Sequence, residues 1–190
     1  MARPDLAMFF AEAGALKRTP RSGWLHVGVA KPESVADHSQ RAALIGYALA
    51  ELEDANPERV ALMLLFHDLP EARLGDLNKI QRRYLDAKAS EERIIREQAD
   101  RMPPKMGALY ASLMQEYESG ATREAVVAKD ADLLECGLQA LEYQAQAQPF
   151  VIEWADNVEK LLKTDSAKKI LSEARKGECF HWWKGLKKFD

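Results

Sequence analysis

Apolar residues recur at helical spacing along most of the chain, and this periodicity constrains the fold more than any other feature of the sequence. Val35, Ala42, Ile45 and Leu49 mark one face of a predicted helix, and Ser34 is a suitable N-cap for it. No segment shows the alternation of apolar and polar residues that is typical of a half-buried strand. The sequence therefore predicts an all-α bundle of roughly six to eight helices.

The other helix boundaries follow from the same periodicity and from the positions of proline and glycine. Further helices are predicted over residues 5–17, 57–75, 90–101, 105–117, 122–147, 151–162 and 166–176. Residues 18–32 contain two prolines and two glycines, which predicts a long loop of the kind that often carries functional groups. We expect a single domain over residues 1–190, with a core of about 16–147 and C-terminal helices with an aromatic tail over about 148–190.

The composition is that of an ordinary soluble protein and excludes several classes of function. The formal net charge is −3, so the chain lacks the basic field with which proteins attract nucleic acid polymers or anionic membranes. No run of about 18 apolar residues exists, so we expect no membrane span. The 2 cysteines are too few for a disulfide framework. We therefore expect a reduced, cytoplasmic protein.

The most apolar run of the chain, residues 60–66, ends in the pair His67–Asp68. Ionisable side chains beside so apolar a helix are costly unless they are paired or bind a metal. Glu71 follows His67 by one helical turn, and Asp76 comes directly after Gly75. One helix and its exit loop could therefore direct an imidazole and three carboxylates at the same volume.

Two other helices could contribute to the same volume. His38 lies on the apolar face of the helix after Ser34, and Asp132 lies beside core-like leucines in the long helix over residues 122–147. Two imidazoles and two carboxylates form a nitrogen and oxygen site that suits a divalent transition metal such as Mn, Fe, Co, Ni or Zn. A metal in such a site can polarise a phosphoryl group and acidify bound water. Glu71 and Asp76 would then be available for proton transfer or for orienting water.

Each of these residues also has a purely structural explanation. A single histidine on an apolar face, such as His38, is more often a packed core residue than a ligand. Asp68 could cap a helix end or form a local pair. Asp130 and Asp132 are two residues apart, and spacing alone does not decide which of them faces inward or whether both form a solvated acidic turn.

The ordered pattern of His38, His67–Asp68 and Asp132 resembles the H…HD…D signature of HD-domain metal-dependent phosphohydrolases. The surrounding sequence sharpens the resemblance, because four segments look like the 5′-deoxynucleotidase branch that includes the HD domain-containing protein 2 group. These segments are LKRTPRSGW, ESVADHS, HDLPEARLGD and KDADLLECGLQALEYQ. The resemblance spans roughly residues 16–143 and implies an all-α HD-domain bundle.

The resemblance also implies an activity and a ligand set. Family members hydrolyse deoxynucleoside 5′-monophosphates with one divalent transition metal, and the expected substrate is therefore a small nucleotide. The residues that match the metal ligands are His38, His67, Asp68 and Asp132. A homodimer is expected on the same ground, with Phe180, Trp182 and Trp183 as candidates for burial in the dimer or within the monomer.

The remaining functional residues are carried over from the same motifs. Glu71 and Asp76 match the acids that are assigned to catalysis. Arg18 is the best match for the arginine that contacts the substrate phosphate, but Thr19 stands where the bacterial enzymes have a tryptophan. Arg21 or Trp24 could therefore replace that contact.

Two other functions are compatible with these motifs. Other HD proteins act as phosphodiesterases or alarmone hydrolases, although an isolated HD pair does not favour a two-metal diesterase. The chain could also be a nucleotide-binding module without turnover, but such a module would not need Glu71 and Asp76.

Overall fold

The structure is a computed structural model that describes residues 4–186. Within that range the chain forms eight helices of eight residues or more and no strand, which confirms the predicted all-α class. In chain order, with three four-residue helices included, the elements are α1 (Leu6–Ala13), α2 (Gly23–His26), α3 (Val35–Leu52), α4 (Pro57–Phe66), α5 (Glu71–Leu74), α6 (Lys79–Arg82), α7 (Ala87–Ala99), α8 (Pro104–Ser119), α9 (Arg123–Ala145), α10 (Ile152–Leu161) and α11 (Asp165–Ala174). Short 3₁₀ turns cover Gly14–Arg18, Pro149–Val151 and Glu178–His181.

The two helices that carry the predicted ligands outside the HD pair begin at or within one residue of the positions predicted from the sequence. Ser34 Oγ accepts a hydrogen bond from Asp37 N at 3.1 Å, and Asp37 Oδ2 accepts one from Ser34 N at 2.9 Å, which forms a capping box at the start of α3. At the start of α9, Thr122 Oγ1 accepts from Ala125 N at 3.1 Å. These caps set the first residue of each helix and hence the direction in which its later side chains point.

Helices α3, α4 and α9 form the centre of the bundle. Gly46 on α3 is buried, and a Cβ at this position would lie 2.2 Å from Leu64 Cδ1 on α4. The same position is 3.5 Å from Ala131 Cβ on α9. Small residues at this crossing allow the three helices to pack closely, and Leu64 and Ala131 are fully buried there. The packing brings His38, the end of α4 and Asp132 to one side of the centre.

The predicted helix over residues 57–75 is wrong in its second half. Helix α4 ends at Phe66, a turn follows over residues 67–70, and α5 begins only at Glu71. Pro70 has no N–H to continue the helix, and its ring would clash with the carbonyl of Phe66, four residues earlier. Leu69 N instead donates to Phe66 O at 3.1 Å, which closes a tighter turn. The HD pair therefore lies in this turn.

The other predicted helix boundaries differ from the observed ones by a few residues, and the predicted loop over residues 18–32 contains a short helix. The first predicted helix stops at Ala13 and continues as a 3₁₀ turn, because Gly14 interrupts it. The predicted loop over residues 18–32 contains the short helix α2, and its two ends meet where Pro20 pairs with Ser34 in an isolated bridge. Within residues 4–186, no helix is both long enough and apolar enough to cross a membrane.

Candidate metal centre

Four predicted ligands meet at one point in the structure. His38 Nε2 lies 3.4 Å from His67 Nε2 and 3.2 Å from Asp132 Oδ1. Asp68 Oδ2 lies 3.1 Å from His67 Nε2 and 3.6 Å from His38 Nε2. His38, His67 and Asp132 can each offer one ligand atom to a single ion, with all three atoms within 4.8 Å of one another. The structure therefore brings together residues from α3, from the turn after α4 and from α9.

The outer nitrogen of each imidazole is engaged by an acceptor, which leaves the inner nitrogen free to bind a metal. His67 Nδ1 donates to the carbonyl oxygen of Leu64 at 2.7 Å. His38 Nδ1 donates to the buried carboxylate of Glu135. A neutral imidazole with its proton on Nδ1 has a lone pair on Nε2. Both lone pairs therefore point into the cluster, as in metal sites where histidine is oriented by a second hydrogen bond.

The donor set fits a divalent cation. Asp68 Oδ2 is buried and accepts no hydrogen bond from any residue in the described part of the chain. Such an atom is costly to bury unless a cation or a donor compensates it. Two imidazole lone pairs and two carboxylate oxygens gathered within hydrogen-bond distances repel one another, and a metal with mixed nitrogen and oxygen preference relieves that repulsion.

The pKa values of the cluster show that it attracts positive charge. Burial by itself would lower the pKa of His38, but hydrogen bonds to Asp132 and Glu135 raise this pKa to about 10. Burial would raise the pKa of Asp68, but the positive charge of protonated His67 holds it at about 2. The pKa of Asp132 is lowered in the same way, chiefly by its hydrogen bond with His38. Without a metal, the two histidines of the cluster are therefore protonated, and their positive charge compensates the carboxylates.

Glu71 lies beside the cluster. Its side chain is buried, and its Oε2 accepts no hydrogen bond from the described residues. Burial, together with the negative charges of Asp68 and Asp76, raises the pKa of Glu71 to about 10. An unpaired carboxyl group with a raised pKa next to a metal cluster is well suited to holding a proton and transferring it.

Asp76 is occupied by the loop that precedes α2. Its Oδ1 accepts from Arg21 Nη1 at 3.0 Å, and its Oδ2 accepts from the Ser22 backbone N at 2.6 Å and from Ser22 Oγ at 2.8 Å. Arg21 Nη1 also lies 3.6 Å from Asp68 Oδ2. Arg18, the arginine expected to contact phosphate, is exposed in the 3₁₀ turn and does not line the cavity beside the cluster. The arginine that reaches the cluster is Arg21.

The two aspartates that the sequence left undecided have separate roles. Asp132 Oδ2 accepts a hydrogen bond from Tyr117 at 2.9 Å, while its Oδ1 belongs to the cluster. Asp130 is buried elsewhere, and its Oδ2 accepts from Thr164 N at 2.6 Å and from Lys163 N at 2.9 Å at the start of α11. Asp130 therefore anchors α11 and takes no part in the cluster.

Sequence reasoning missed the groups that orient the ligands. Glu135 is fully buried between His38 and Arg41, whose Nη2 donates to Glu135 Oε1 at 2.7 Å. Glu135 follows Asp132 by three residues on α9, so it lies on the same inward face. An acidic residue three positions after the predicted ligand Asp132 is the feature of the sequence that indicates Glu135. Tyr117 belongs to α8, and nothing in its sequence context pointed to Asp132.

We expect Glu135→Gln to weaken metal binding by about 10- to 100-fold, because the amide cannot supply the negative charge that orients and polarises His38. Titration of the metal into metal-free protein, in competition with a chelator, measures this change. Glu142→Gln is the matched control, because Glu142 also pairs with Arg41, at 2.6 Å, and forms no hydrogen bond with His38. Equal losses in both variants would show that Arg41, and not the charge of Glu135, is responsible.

The cluster opens into a cavity of about 1110 Å³. Its lining includes His67, Asp68, Glu71 and Asp132 at one end, and Arg21 lies beside them. Ligand cavities typically measure about 300–1,000 Å³, so this cavity can admit a small organic molecule together with the metal. The arrangement combines metal donors, a proton-holding carboxyl group and a guanidinium group in one accessible space.

Comparisons with known proteins identify the family of this chain. The 5′-deoxynucleotidase HDDC2 of Dictyostelium discoideum is 36% identical over 146 residues, which cover 73% of this chain and 77% of that protein. The Xenopus laevis 5′-deoxynucleotidase HDDC2 is 36% identical over 141 residues, which cover 74% of this chain and 70% of that protein. The structure of a conserved hypothetical protein from Pyrococcus furiosus superposes with a TM-score of 0.74 at 32% identity, and the match covers 90% of this chain and 99% of that chain. The sequence profile of the HD domain matches residues 13–174, and the chain belongs to the HD domain family.

Proposed function

We propose that this protein is a metal-dependent phosphohydrolase that removes the phosphate from deoxynucleoside 5′-monophosphates. The observation that carries the proposal is the cluster of His38, His67, Asp68 and Asp132. It opens to a cavity that is also lined by Glu71, whose Oε2 has no hydrogen-bond partner among the described residues. The relatives that cover most of this chain are 5′-deoxynucleotidases, which supports the same substrate class.

The proposed metal ligands are the four residues of the cluster. When a divalent transition metal is bound there, it polarises a phosphoryl oxygen and increases the acidity of water. A ligand set of two imidazoles and two carboxylates suits Mn, Fe, Co, Ni or Zn.

Glu71 is the group that we propose for proton transfer. Water attacks phosphorus, the bond between phosphorus and the 5′ oxygen breaks, and the departing oxygen takes up a proton. Glu71 lines the cavity and holds a proton in the metal-free protein, since its pKa is raised to about 10 by burial and by neighbouring carboxylates. Its carboxyl group can deliver that proton or receive one from the attacking water.

Arg21 and Asp76 act together in the proposed site. The guanidinium group of Arg21 can pair with two phosphate oxygens, for which its planar geometry is suited. Asp76 binds both Arg21 and the backbone of Ser22, so we propose that it positions the phosphate-binding loop. This role replaces the direct catalytic role that the motif alone suggested for Asp76.

Arg21→Lys is expected to lower kcat/KM for dAMP by about 10- to 100-fold, because an ammonium group cannot make the paired contacts of a guanidinium group to phosphate. Arg18→Lys is the matched control and is expected to leave the kinetics nearly unchanged, since Arg18 is exposed and outside the cavity lining. Steady-state kinetics of both purified variants check this. A large loss in Arg18→Lys with a small one in Arg21→Lys would return the phosphate contact to Arg18.

The activity itself is tested by the release of inorganic phosphate from dAMP, dGMP, dCMP and dTMP in the presence of Mn, Co, Fe, Ni or Zn. Release that requires both the nucleotide and a metal is the expected result. Greater activity on a cyclic or bis-phosphate ester would identify a diesterase or alarmone hydrolase. Tight nucleotide binding without product under every metal would identify a binding module.

We also propose that the protein is a homodimer in the cytoplasm. The resemblance to the family supports the dimer. Trp182 and Trp183 are 72% and 55% exposed in the single chain, which makes them candidates for burial between two copies. Sedimentation of the wild type and of a Trp182→Ala, Trp183→Ala double variant tests this assembly.

A further inference from the structure

One wall of the cavity has no role in the metal centre. Four residues of α10 line it, and their spacing places them on a single helical face. They are Trp154, Asn157, Val158 and Leu161, which we call the α10 wall. Asn157 is the only polar member. The α10 wall therefore offers apolar and aromatic surface to whatever occupies the cavity.

Trp154 is held in place by its neighbours. Its ring packs on Trp24 with the centroids 4.5 Å apart and the planes inclined by 30°. Trp24 is buried, and its Nε1 donates to Glu33 Oε1 at 3.1 Å. A Cβ at position 23 would lie 2.4 Å from the Trp154 ring, so the contact requires Gly23. Trp154 is thus a rigid, partly exposed aromatic surface, which loses little freedom when it binds a planar ring.

The α10 wall continues to the metal centre along α9. Leu133 directly follows Asp132, Cys136 lies one turn further, and both line the cavity. Burial raises the pKa of the Cys136 thiol to about 12, so this side chain is neutral. Apolar surface therefore extends from the metal ligand Asp132 to the aromatic ring of Trp154.

The part of the cavity lined by α6 and α7 has a different character. It carries mainly charged side chains, and Arg82 Nη2 pairs there with Glu91 Oε1 at 2.8 Å. A neutral planar group would gain little by displacing water from these charges. The apolar α10 wall is the more favourable surface for such a group.

We propose that the α10 wall binds the nucleobase of the substrate and that Trp154 is its stacking surface. This inference rests on the proposed nucleotidase function and adds a specificity-determining surface to it. Every nucleobase has a π-face, so stacking accepts all of them. A single amide, that of Asn157, does not supply the set of hydrogen bonds that would select one base. The larger purine rings are therefore expected to bind better than pyrimidines.

The first test compares dAMP with deoxyribose 5-phosphate, which has the same sugar and phosphate but no base. Trp154→Leu is expected to lower the ratio of kcat/KM for dAMP to that for deoxyribose 5-phosphate by about 10-fold. Leu161→Ser should also lower this ratio. Leu161 is 48% exposed, so the substitution leaves no cavity in the hydrophobic core. Phe10→Leu is the control, because Phe10 is an exposed aromatic residue outside the cavity lining and should keep the wild-type ratio.

The second test does not need catalysis. Calorimetric titration of metal-free protein with deoxyadenosine should show binding to the wild type and about 10-fold weaker binding to Trp154→Leu. Binding of this kind by a protein that releases no phosphate would retain the base site and reject the proposed activity. The base site would be overturned if Trp154→Leu bound deoxyadenosine like the wild type and both α10 variants kept the wild-type ratio of kcat/KM values. It would also be overturned if Ile80→Ser on α6 lowered that ratio and the α10 variants did not.

Discussion

Asp68→Ala is expected to remove the metal and the activity together. Asp68 Oδ2 lies within 3.6 Å of both imidazole Nε2 atoms and has no hydrogen-bond partner among the described residues, so a cation is the compensation that fits its burial. Without this carboxylate, the remaining donors are one carboxylate and two imidazoles. A phosphohydrolase that loses its metal loses several kcal/mol of transition-state stabilisation, which corresponds to about 10³-fold or more in turnover.

Two measurements on Asp68→Ala separate a ligand from a merely structural residue. Metal content after dialysis should fall to background, and the added metal should no longer raise the melting temperature as it does for the wild type through mass action. Asp86→Ala is the matched control, because Asp86 is an exposed acid whose side chain makes no capping hydrogen bond. A variant with full metal content and no turnover would contradict the ligand role of Asp68.

Glu71→Gln is expected to lower kcat by about 10² to 10⁴-fold while the metal stays bound. Glutamine has nearly the shape of glutamate, but its amide cannot take up and release a proton at neutral pH. Glu71 is three residues beyond Asp68 and its Oε2 makes no hydrogen bond within the described chain, so the substitution removes no hydrogen bond from that atom. The loss should therefore fall on kcat and leave metal affinity close to that of the wild type.

The control for Glu71→Gln is Glu91→Gln, which changes another carboxylate in the cavity lining. Glu91 is paired with Arg82, and its loss should change turnover little. Steady-state kinetics at saturating dAMP and metal titration of both variants provide the comparison. A parallel loss of metal in Glu71→Gln would make Glu71 a ligand, and an unchanged kcat would remove it from the chemistry.

The candidate metal centre was predictable because its four residues occupy unusual positions in the sequence. His67–Asp68 ends the most apolar run of the chain, and His38 lies on an apolar helical face, where an uncompensated charge is costly. The sequence and its family motifs therefore predict the four candidate ligands, Glu71 and Asp76 as one site, and the structure brings the four candidate ligands together.

The geometry around that centre was less predictable. Apolar periodicity continues past Phe66 and predicts a continuous helix over residues 57–75, but Pro70 cannot continue the helix, and α4 ends at Phe66. The choice between Asp130 and Asp132 depended on which part of α9 faces α3 and which faces α11. Two residues along a helix differ by about half a turn, and only packing decides which direction is inward.

The sequence by itself determined the all-α class, the start of α3 at its Ser34 cap and the four candidate metal ligands, because these depend on local periodicity and on residue chemistry. Only the tertiary structure showed that Arg21 and not Arg18 reaches the cluster, that Asp76 holds the loop of Arg21, and that Glu135 orients His38. The residues in each of these contacts are at least 47 positions apart in the sequence. The smallest separation is that of Arg21 and Asp68, which belong to different elements. Contacts over such separations arise when helices pack, and no local pattern encodes them.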